Sequence, residues 1–275
     1  MDFRRHSRIT KVYALGVGAC ARGAVDKNEL KYVYHQDGQQ FIQVLPTFAS
    51  LLALEYSSHL ADLPGLSYDP RLLLHGQQYI EIYRPLPSSC CVRFLITSSE
   101  CKAAVVDYEV VSYEKESGKP LCMNRMSVYL RGAGGFSKSS QPISYAKYPA
   151  NQILASKVPN RQPFTALLYR LSGDYNPLHS DPTIAEVAGF SRPILHGLCT
   201  LGFAIRAIIK CICGGDPNLI KAISGRFLLH FYPGETLITE MWLEGLRVLY
   251  QVKVKERNRT VLSGFVDISR LSSAL

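Results

Sequence analysis

The amino-acid sequence predicts an α+β protein built from two tandem units, each an antiparallel sheet wrapped round one long apolar helix. Three observations support this prediction. An apolar segment with helical spacing is twice followed by a run of strand-like segments. Residues 225–233 mirror residues 76–85 in composition and in their place within that run. The chain of 275 residues, 47% of them hydrophobic, is long enough to bury a core of this size.

The first unit opens on polar and glycine-containing sequence. Residues 1–8 are basic and lack the apolar core of a secretory signal, so we expect a frayed terminus there. Residues 12–34 predict a loop-rich opening that leads into short strands. A helix-starting proline, Pro46, then precedes residues 49–60, in which apolar side chains recur at helical spacing. This last segment predicts one buried helix.

Four segments of strand-like composition complete the first unit. They have alternating or continuous β-forming residues and lie at 78–83, 92–97, 104–112 and 121–130. The separators have turn compositions and lie at 85–87, 98–102 and 115–120. These segments predict four strands of an antiparallel sheet.

A stretch without clear periodicity follows, rich in Gly, Ser, Lys and Pro, at residues 131–163. Its glycines lack the strand-to-helix context of a phosphate-binding loop. We therefore divide the chain into an N-terminal unit at 1–135, a linker at 136–163 and a C-terminal unit at 164–275. Only the third of these carries the chemistry described below.

The second unit repeats the order of the first. Residues 198–212 predict a helix with one apolar face, and strands follow at 236–243, 248–256 and 261–268, after the mirrored segment 225–233. A sheet wrapped round the apolar helix buries the helix and one sheet face together. Such a repeat predicts a duplicated chain.

Composition and charge exclude several classes of protein. No apolar run approaches the roughly 20 residues that cross a bilayer, so no membrane span is expected. The net charge of +9 is dispersed and accompanies no nucleic-acid-binding motif, so no nucleic-acid partner is expected either. A small polyanion such as the nucleotide end of coenzyme A suits this charge. The eight cysteines have neither zinc-site spacing nor a disulfide framework, which predicts free thiols in a reducing compartment.

The densest cluster of chemically active residues is at 169–182. It places Asp174, Asn176 and His179 within six residues, on a segment that Gly173 and Pro177 keep out of regular helix or strand. Taken alone, the pattern also fits a turn in which Asp174 and Asn176 bond their own backbone. The corresponding first-unit segment, residues 13–18, has no acid and no nearby histidine. One site per chain is therefore expected.

Family resemblance makes the site more specific. The residues that carry it include 169–179, 188–190 and 193–200, with further matches at 13–19, 45–48, 74–76, 83–87 and 232–235. This ordered set resembles the (R)-specific type-2 enoyl-CoA hydratases of the MaoC-like group, which have the hot-dog fold. It is similar to the eukaryotic double-hot-dog form, found alone or as a domain of the peroxisomal multifunctional β-oxidation enzyme. Hot-dog units pair by joining their sheets edge to edge, so the resemblance implies that the two halves form a pseudo-dimer.

The resemblance implies a reaction and roles for its residues. The reaction is the reversible syn addition of water to a trans-2-enoyl-CoA, giving an (R)-3-hydroxyacyl-CoA. Asp174 and His179 would activate water and transfer protons, and the Gly197 N–H at a helix start would stabilise the thioester oxyanion. Asn176 would orient water or His179, or would only stabilise the turn. No metal and no cofactor are expected, since coenzyme A is part of the substrate.

Three further residues are predicted to bind substrate. Tyr169 would line the acyl pocket or bond the catalytic segment, although an aromatic at this place is often simply core. His196 would shape the turn before the helix rather than transfer protons. Arg226, near the predicted edge of the sheet, would bind a coenzyme A phosphate.

Competing interpretations remain open in the sequence. A hot-dog acyl-CoA thioesterase would attack the thioester carbon instead of C3, and a non-catalytic acyl-CoA binding module would need a degenerate pair. The resemblance implies a homodimer and a peroxisomal location, with cytoplasm as the alternative. The final Ser-Ala-Leu resembles a peroxisomal address, but it has alanine where the usual tripeptide has a basic residue.

Overall fold

A computed structural model describes residues 3–21, 26–54, 68–69, 73–88, 92–102, 105–130, 154–159 and 165–271. Within these residues the first half contains three α-helices, α1 (Phe3–Gly16), α2 (Lys27–Leu30) and α3 (Ala49–Leu54). Its four strands are β1 (Leu73–Ile82), β2 (Val92–Lys102), β3 (Val105–Glu114) and β4 (Pro120–Leu130). The predicted buried helix begins where expected, after the single turn Pro46–Phe48, and its predicted continuation beyond Leu54 lies outside the described residues.

The second half repeats this order. After β5 (Leu154–Pro159) come the helices α4 (Thr165–Arg170), α5 (Pro182–Val187) and α6 (Gly197–Cys211). The strands β6 (Ile220–Phe227), β7 (Thr236–Glu244), β8 (Arg247–Val254) and β9 (Arg259–Ile268) follow. The helix predicted at 198–212 and the strands predicted at 236–243, 248–256 and 261–268 are confirmed, whereas the mirrored segment 225–233 overlaps β6 only up to Phe227.

All nine strands form one antiparallel sheet, in the order β2-β3-β4-β1-β6-β9-β8-β7-β5. The order is symmetric about the β1–β6 junction, apart from β5 at one edge. At that junction Gln77 pairs with Arg226, the residue that holds the same place in the mirrored second-half segment. A residue paired with its own counterpart marks a pseudo-twofold axis. The predicted duplication and edge-to-edge joining of the two sheets are confirmed.

The sheet wraps round α6, which is buried along most of its length. Residues 198–209 of this helix are all buried, so the helix is enclosed on every side. The main hydrophobic cluster joins α6 to side chains from both halves of the sheet and from α1 and α3. Among the described helices, none is long and apolar enough to cross a membrane.

The prediction for the N-terminal segment is wrong. Residues expected as a frayed terminus and loop instead form α1, and the expected short strands are replaced by α2 and a single turn at Gln39–Phe41. Thr10, Tyr13 and Val17 are buried along one face of this segment at helical spacing. The face became stable because α1 packs against α4, its counterpart across the pseudo-twofold axis.

Two further predictions need correction. Residues 98–102, expected as a turn, continue β2, because Lys102 still pairs with Val105 of β3 at the tip of the hairpin. The stretch expected as a linker contains β5, which pairs with β7 from Leu154–Met241 to Pro159–Thr236. In both places pairing with a neighbouring strand decided the conformation, since the side chains have no clear strand periodicity.

A buried ion pair ties α6 to the first half. The Arg206 guanidinium contacts the Glu29 carboxylate, and each side chain is only 9% exposed. Arg206 Nε also donates to the Val17 carbonyl at 3.0 Å, and the Cys20 N–H donates to Glu29 at 2.9 Å. The charges of both side chains are therefore compensated inside the protein.

Candidate active site

The segment between α4 and α5, residues 171–181, forms one tight turn, which we call the catalytic turn after the roles predicted for Asp174 and His179. Gly173 adopts φ +128°, which side-chain-bearing residues avoid, and no atom lies near the position where a Cβ would be. Asn176 then caps a single helical turn at Pro177–His179, with its side-chain oxygen accepting from the Leu178 N–H at 3.0 Å. The side-chain oxygen of Asn176 thus stabilises the turn. Arg170 holds the same turn from outside by donating to the Asn176 carbonyl at 3.2 Å.

This turn brings Asp174 and His179 beside His196, which lies at the start of α6. His196 Nε2 lies 3.2 Å from the Asp174 backbone oxygen and 4.0 Å from its carboxylate. The rings of His179 and His196 stack with centroids 3.8 Å apart. The Asp174 side chain is 15% exposed and that of His196 only 1%. Asp174 can therefore meet a substrate, whereas His196 supports the site from behind.

The hydrogen bond of His179 fixes which ring nitrogen is available for chemistry. Its Nδ1 lies 2.9 Å from the Ile194 carbonyl oxygen, and a carbonyl can only accept a hydrogen bond. Nδ1 must therefore carry a proton. When the ring is neutral, Nε2 is left as a free proton acceptor.

Burial shifts the pKa values of the three groups. It raises the pKa of Asp174 above its usual value, against the opposing effect of the His179 charge. Burial lowers the pKa of His179, with Asp174 opposing the shift, and it lowers the pKa of His196 much further. In each case desolvation disfavours the charged form. Burial thus favours a neutral imidazole at His179 and a more weakly acidic carboxyl at Asp174.

Gly197 is the first residue of α6 and follows His196, the cap residue, which makes no side-chain capping bond. The N–H groups of a first helical turn have no partner within the helix and lie at the positive end of its dipole. A Cβ on Gly197 would lie 3.0 Å from the Phe227 ring. Glycine therefore lets the helix start sit directly against β6, beside the catalytic turn.

The predicted substrate-binding residues occupy different places in the structure. Tyr169 is fully buried, with its ring 4.8 Å from that of His196 and 5.7 Å from that of Tyr13. It packs behind His196 in the core and has no surface facing solvent. His196 bonds the backbone of the catalytic turn, in agreement with the prediction that it shapes this region.

The expected place of Arg226 is wrong. This residue lies in β6 at the centre of the nine-stranded sheet, paired with Gln77 on one side and Ser263 on the other. Successive side chains of a strand point to opposite faces, and its neighbour Phe227 faces Gly197. Arg226 therefore points away from the active site, and the duplication of the sheet, which turned an edge strand into a central one, is the reason.

Sequence reasoning missed three contributors. The Ile194 carbonyl orients His179, the Phe227 ring supports Gly197, and Arg170 holds the catalytic turn while its guanidinium lies 5.2 Å from the Tyr175 ring centre. Arg170 lies within the motif, so its closeness in sequence to Asp174 was the available signal. The other two contacts join distant segments and have no local signal.

Asp174, His179 and His196 are also close enough together to be considered as metal ligands. One ligand atom from each lies within 4.8 Å of the others. One nitrogen of each imidazole is, however, already bonded to a backbone carbonyl. The expectation that the reaction uses no metal and no cofactor stays a prediction.

The counterpart of the catalytic turn in the first half is filled by other side chains. Gly18 holds the place of Asp174, five residues after Tyr13 as Asp174 is after Tyr169. It adopts φ +81°, and a Cβ there would lie 2.4 Å from the Phe203 ring. No acidic side chain fits at this position, which supports one site per chain.

The fold and the site together define a double-hot-dog protein whose second half brings Asp174, His179 and His196 together at the start of a buried helix. Residues 3–132 match the MFE-2 hydratase 2 N-terminal domain, and residues 145–264 match the MaoC like domain. With these matches and the relatives below, the chain belongs to the MaoC-like dehydratase family, in the form that carries both domains.

Relatives agree with this assignment over nearly the whole chain. A protein named enoyl-CoA hydratase 2, peroxisomal, from Arabidopsis thaliana is 64% identical over 98% of this chain and 92% of its own length. The peroxisomal multifunctional enzyme type 2 of Mus musculus is 42% identical over 94% of this chain, which corresponds to 35% of that longer enzyme. The crystal structure of a MaoC-like dehydratase from Phytophthora capsici is 31% identical, covers 96% of this chain and 92% of its own, and superposes with a TM-score of 0.79.

Proposed function

We propose that the chain catalyses the reversible hydration of trans-2-enoyl-CoA to (R)-3-hydroxyacyl-CoA in fatty-acid β-oxidation. The observation that carries this proposal is the meeting of Asp174, His179 and the Gly197 N–H at one place in the second half. The names of the relatives from Arabidopsis thaliana and Mus musculus support the same enzyme class, a hydro-lyase acting on enoyl-CoA.

Water is activated by His179. Its Nε2 accepts a proton from the water as the water oxygen adds to C3. Nδ1 cannot do so, because it already carries the proton that it donates to the Ile194 carbonyl. The lowered pKa keeps the ring neutral and able to accept. As the water oxygen bonds to C3, the π electrons of the C2=C3 bond move toward the thioester oxygen.

Asp174 delivers the second proton to C2. A carboxyl with a raised pKa is a better proton holder than an exposed one, and its proton is restored from His179 at the end of the cycle. Since Asp174 and His179 lie on one turn, both approach the substrate from the same side and so meet the same face of the double bond. Addition of water and proton to one face is a syn addition.

The negative charge on the thioester oxygen is met by the Gly197 N–H. This donor is fixed in place before the reaction begins, so it stabilises the enolate without reorganisation. Loss of one such donor typically costs on the order of 10²–10³ in kcat. Asn176 acts on this chemistry through the turn that it caps.

A thioesterase is disfavoured by the same geometry. Its water attacks the thioester carbon and needs one base, whereas this site pairs a base with a proton donor on a single turn. A binding module without activity would not need the pair at all. The two alternatives differ in product, which makes them easy to separate from hydration.

The remaining features of the proposal concern the setting of the enzyme. The reaction as written needs no metal and no cofactor, because acid, base and oxyanion donor all come from the chain. A peroxisomal location is supported by the names of the relatives from Arabidopsis thaliana and Mus musculus. We also propose that two chains form a homodimer, as the family resemblance implies.

Chiral analysis of the product tests the proposal. The purified protein is incubated with crotonyl-CoA and with a longer trans-2-enoyl-CoA, and the 3-hydroxyacyl product is resolved into enantiomers. The expected result is the (R) product from both. An (S) product, or free acid plus coenzyme A, would overturn the proposal, and the second of these results would indicate a thioesterase.

A further inference from the structure

The loop between α5 and α6 carries an arginine that the proposed mechanism does not use. Arg192 is exposed and lies five residues before Gly197. The same loop supplies the Ile194 carbonyl to His179, and its Leu195 N–H donates to the Phe231 carbonyl at 2.7 Å. Two contacts made by residues close to Arg192 in sequence thus fix this loop beside the active site.

An aromatic side chain holds Arg192 in place. The guanidinium carbon lies 4.8 Å from the centre of the Tyr232 ring, within the range of a cation–π contact. The Tyr232 hydroxyl lies 3.0 Å from the Ser191 hydroxyl, which anchors the ring to the same loop. The His230 ring packs against Tyr232 at 4.7 Å and against Phe190 at 5.1 Å. Tyr232 is therefore a fixed support, and the arginine on it is preorganised.

The charge of Arg192 is not neutralised by a carboxylate in the described part of the chain. A second arginine near the same ring, Arg257, is already occupied. Its Nε and Nη2 donate to the Glu235 carboxylate at 2.6 and 2.9 Å, and Nη2 also donates to the His230 carbonyl. Of these two cations near Tyr232, Arg257 has its charge balanced by Glu235, whereas Arg192 has no carboxylate partner in the described part of the chain and can offer its guanidinium to an anionic ligand.

We propose that Arg192, supported by Tyr232, binds a phosphate at the nucleotide end of the acyl-CoA. This inference rests on the proposed function, since it assumes that the thioester sits at Gly197. Five residues span at most about 17 Å when extended, and the pantetheine arm of coenzyme A bridges a gap of that order between thioester and phosphates. Guanidinium groups bind phosphate through paired hydrogen bonds. Arg192 suits this role better than Arg226, because it lies in the loop that carries Ile194 and leads into Gly197, whereas Arg226 points away from the active site.

Truncated substrates test this role directly. Crotonyl-CoA, crotonyl-dephospho-CoA and crotonyl-pantetheine present the same reacting group with fewer phosphates. The variant Arg192→Met keeps most of the side-chain length without the charge. We expect it to lower kcat/KM about tenfold for crotonyl-CoA, as for loss of one charge-assisted hydrogen bond, and to leave the pantetheine substrate unchanged. Arg192→Lys should recover part of the loss.

The control variant is Arg270→Met, which removes an exposed arginine elsewhere. Arg270 follows β9, where the Ser269 N–H donates to the Leu219 carbonyl, at the end of the sheet opposite Phe227. This variant should leave all three substrates unchanged. An equal loss with crotonyl-pantetheine and crotonyl-CoA, or no loss with either, would overturn the proposal.

The intermediate substrate identifies the phosphate. A loss that persists with crotonyl-dephospho-CoA assigns Arg192 to the diphosphate, and a loss that disappears assigns it to the 3′-phosphate. Calorimetric binding of free coenzyme A and of pantetheine separates this inference from the enzyme reaction itself. If the wild-type protein hydrated none of the thioesters, the proposed function would fail. The phosphate contact would still be supported if Arg192→Met bound coenzyme A more weakly than the wild type and bound pantetheine equally well.

Discussion

The buried ion pair between Glu29 and Arg206 offers the sharpest test of how the first half supports the second. The substitution Glu29→Gln preserves size and an acceptor for the Cys20 N–H, but removes the negative charge. Arg206 then remains charged in a place where its side chain is only 9% exposed, with the Val17 carbonyl as its remaining acceptor. The substitution isolates the cost of an uncompensated buried charge.

The expected cost follows from that burial. Removing one partner of a buried ion pair destabilises proteins by about 3–5 kcal/mol, compared with a total stability of about 5–15 kcal/mol. Arg206 lies in the same helix that begins at Gly197, so partial unfolding would also disturb the active site. We therefore expect a large fall in the denaturation midpoint and lower activity at elevated temperature.

Chemical denaturation of four proteins measures the cost of leaving one buried charge unpaired. They are the wild type, Glu29→Gln, Arg206→Met and a double variant that combines Glu29→Leu with Arg206→Met. Replacing both charges by apolar groups avoids an unpaired charge, so the double variant should be more stable than either single variant. A loss below about 1 kcal/mol for Glu29→Gln, or a double variant less stable than both single ones, would refute the reasoning.

Three further predictions concern catalysis. Asp174→Ala and His179→Ala should each lower kcat by about 10²–10⁴ with an unchanged circular dichroism spectrum, and full activity in either variant would remove that residue from the mechanism. The neutral form of His179 is the base, and burial lowers the pKa of this residue. A pH–rate profile should therefore show kcat/KM falling as the pH drops through that pKa, with the midpoint of the acidic limb below 6.5. A midpoint above 6.5 would contradict this. Gly197→Ala places a Cβ 3.0 Å from the Phe227 ring and should lower kcat by roughly 10- to 100-fold through displacement of the helix start. Adding Phe227→Leu should restore part of that loss, and steady-state kinetics showing no rescue would argue against displacement as the cause.

The catalytic turn was predictable because its information is local. Gly173, Asn176 and Pro177 specify the turn through their own backbone preferences and short hydrogen bonds, so Asp174 and His179 come close without help from distant residues. The helix α6 was predictable for a similar reason, since its apolar residues are continuous enough to indicate burial. Local patterns of this kind can be recognised in the sequence because they do not depend on contacts with distant segments.

Elements that depend on partners were missed. The helix α1 has only a narrow buried face among basic residues, and that face became stable against α4. The strand β5 and the last residues of β2 are strands because β7 and β3 pair with them. In each case the observed conformation is stabilised by contact with another segment, which is either distant in sequence or separated from it by a turn.

The sequence by itself determined the duplication, the catalytic turn and the helix that starts at Gly197, because backbone preference and hydrophobic periodicity act over short distances. Only the tertiary structure decided that His196 stacks on His179, that Phe227 supports Gly197 and that Arg226 points away from the site. These relations depend on how α6 lies in the sheet and on which strands pair at the pseudo-twofold axis. Such placement is fixed by packing of the whole core, which no local pattern encodes.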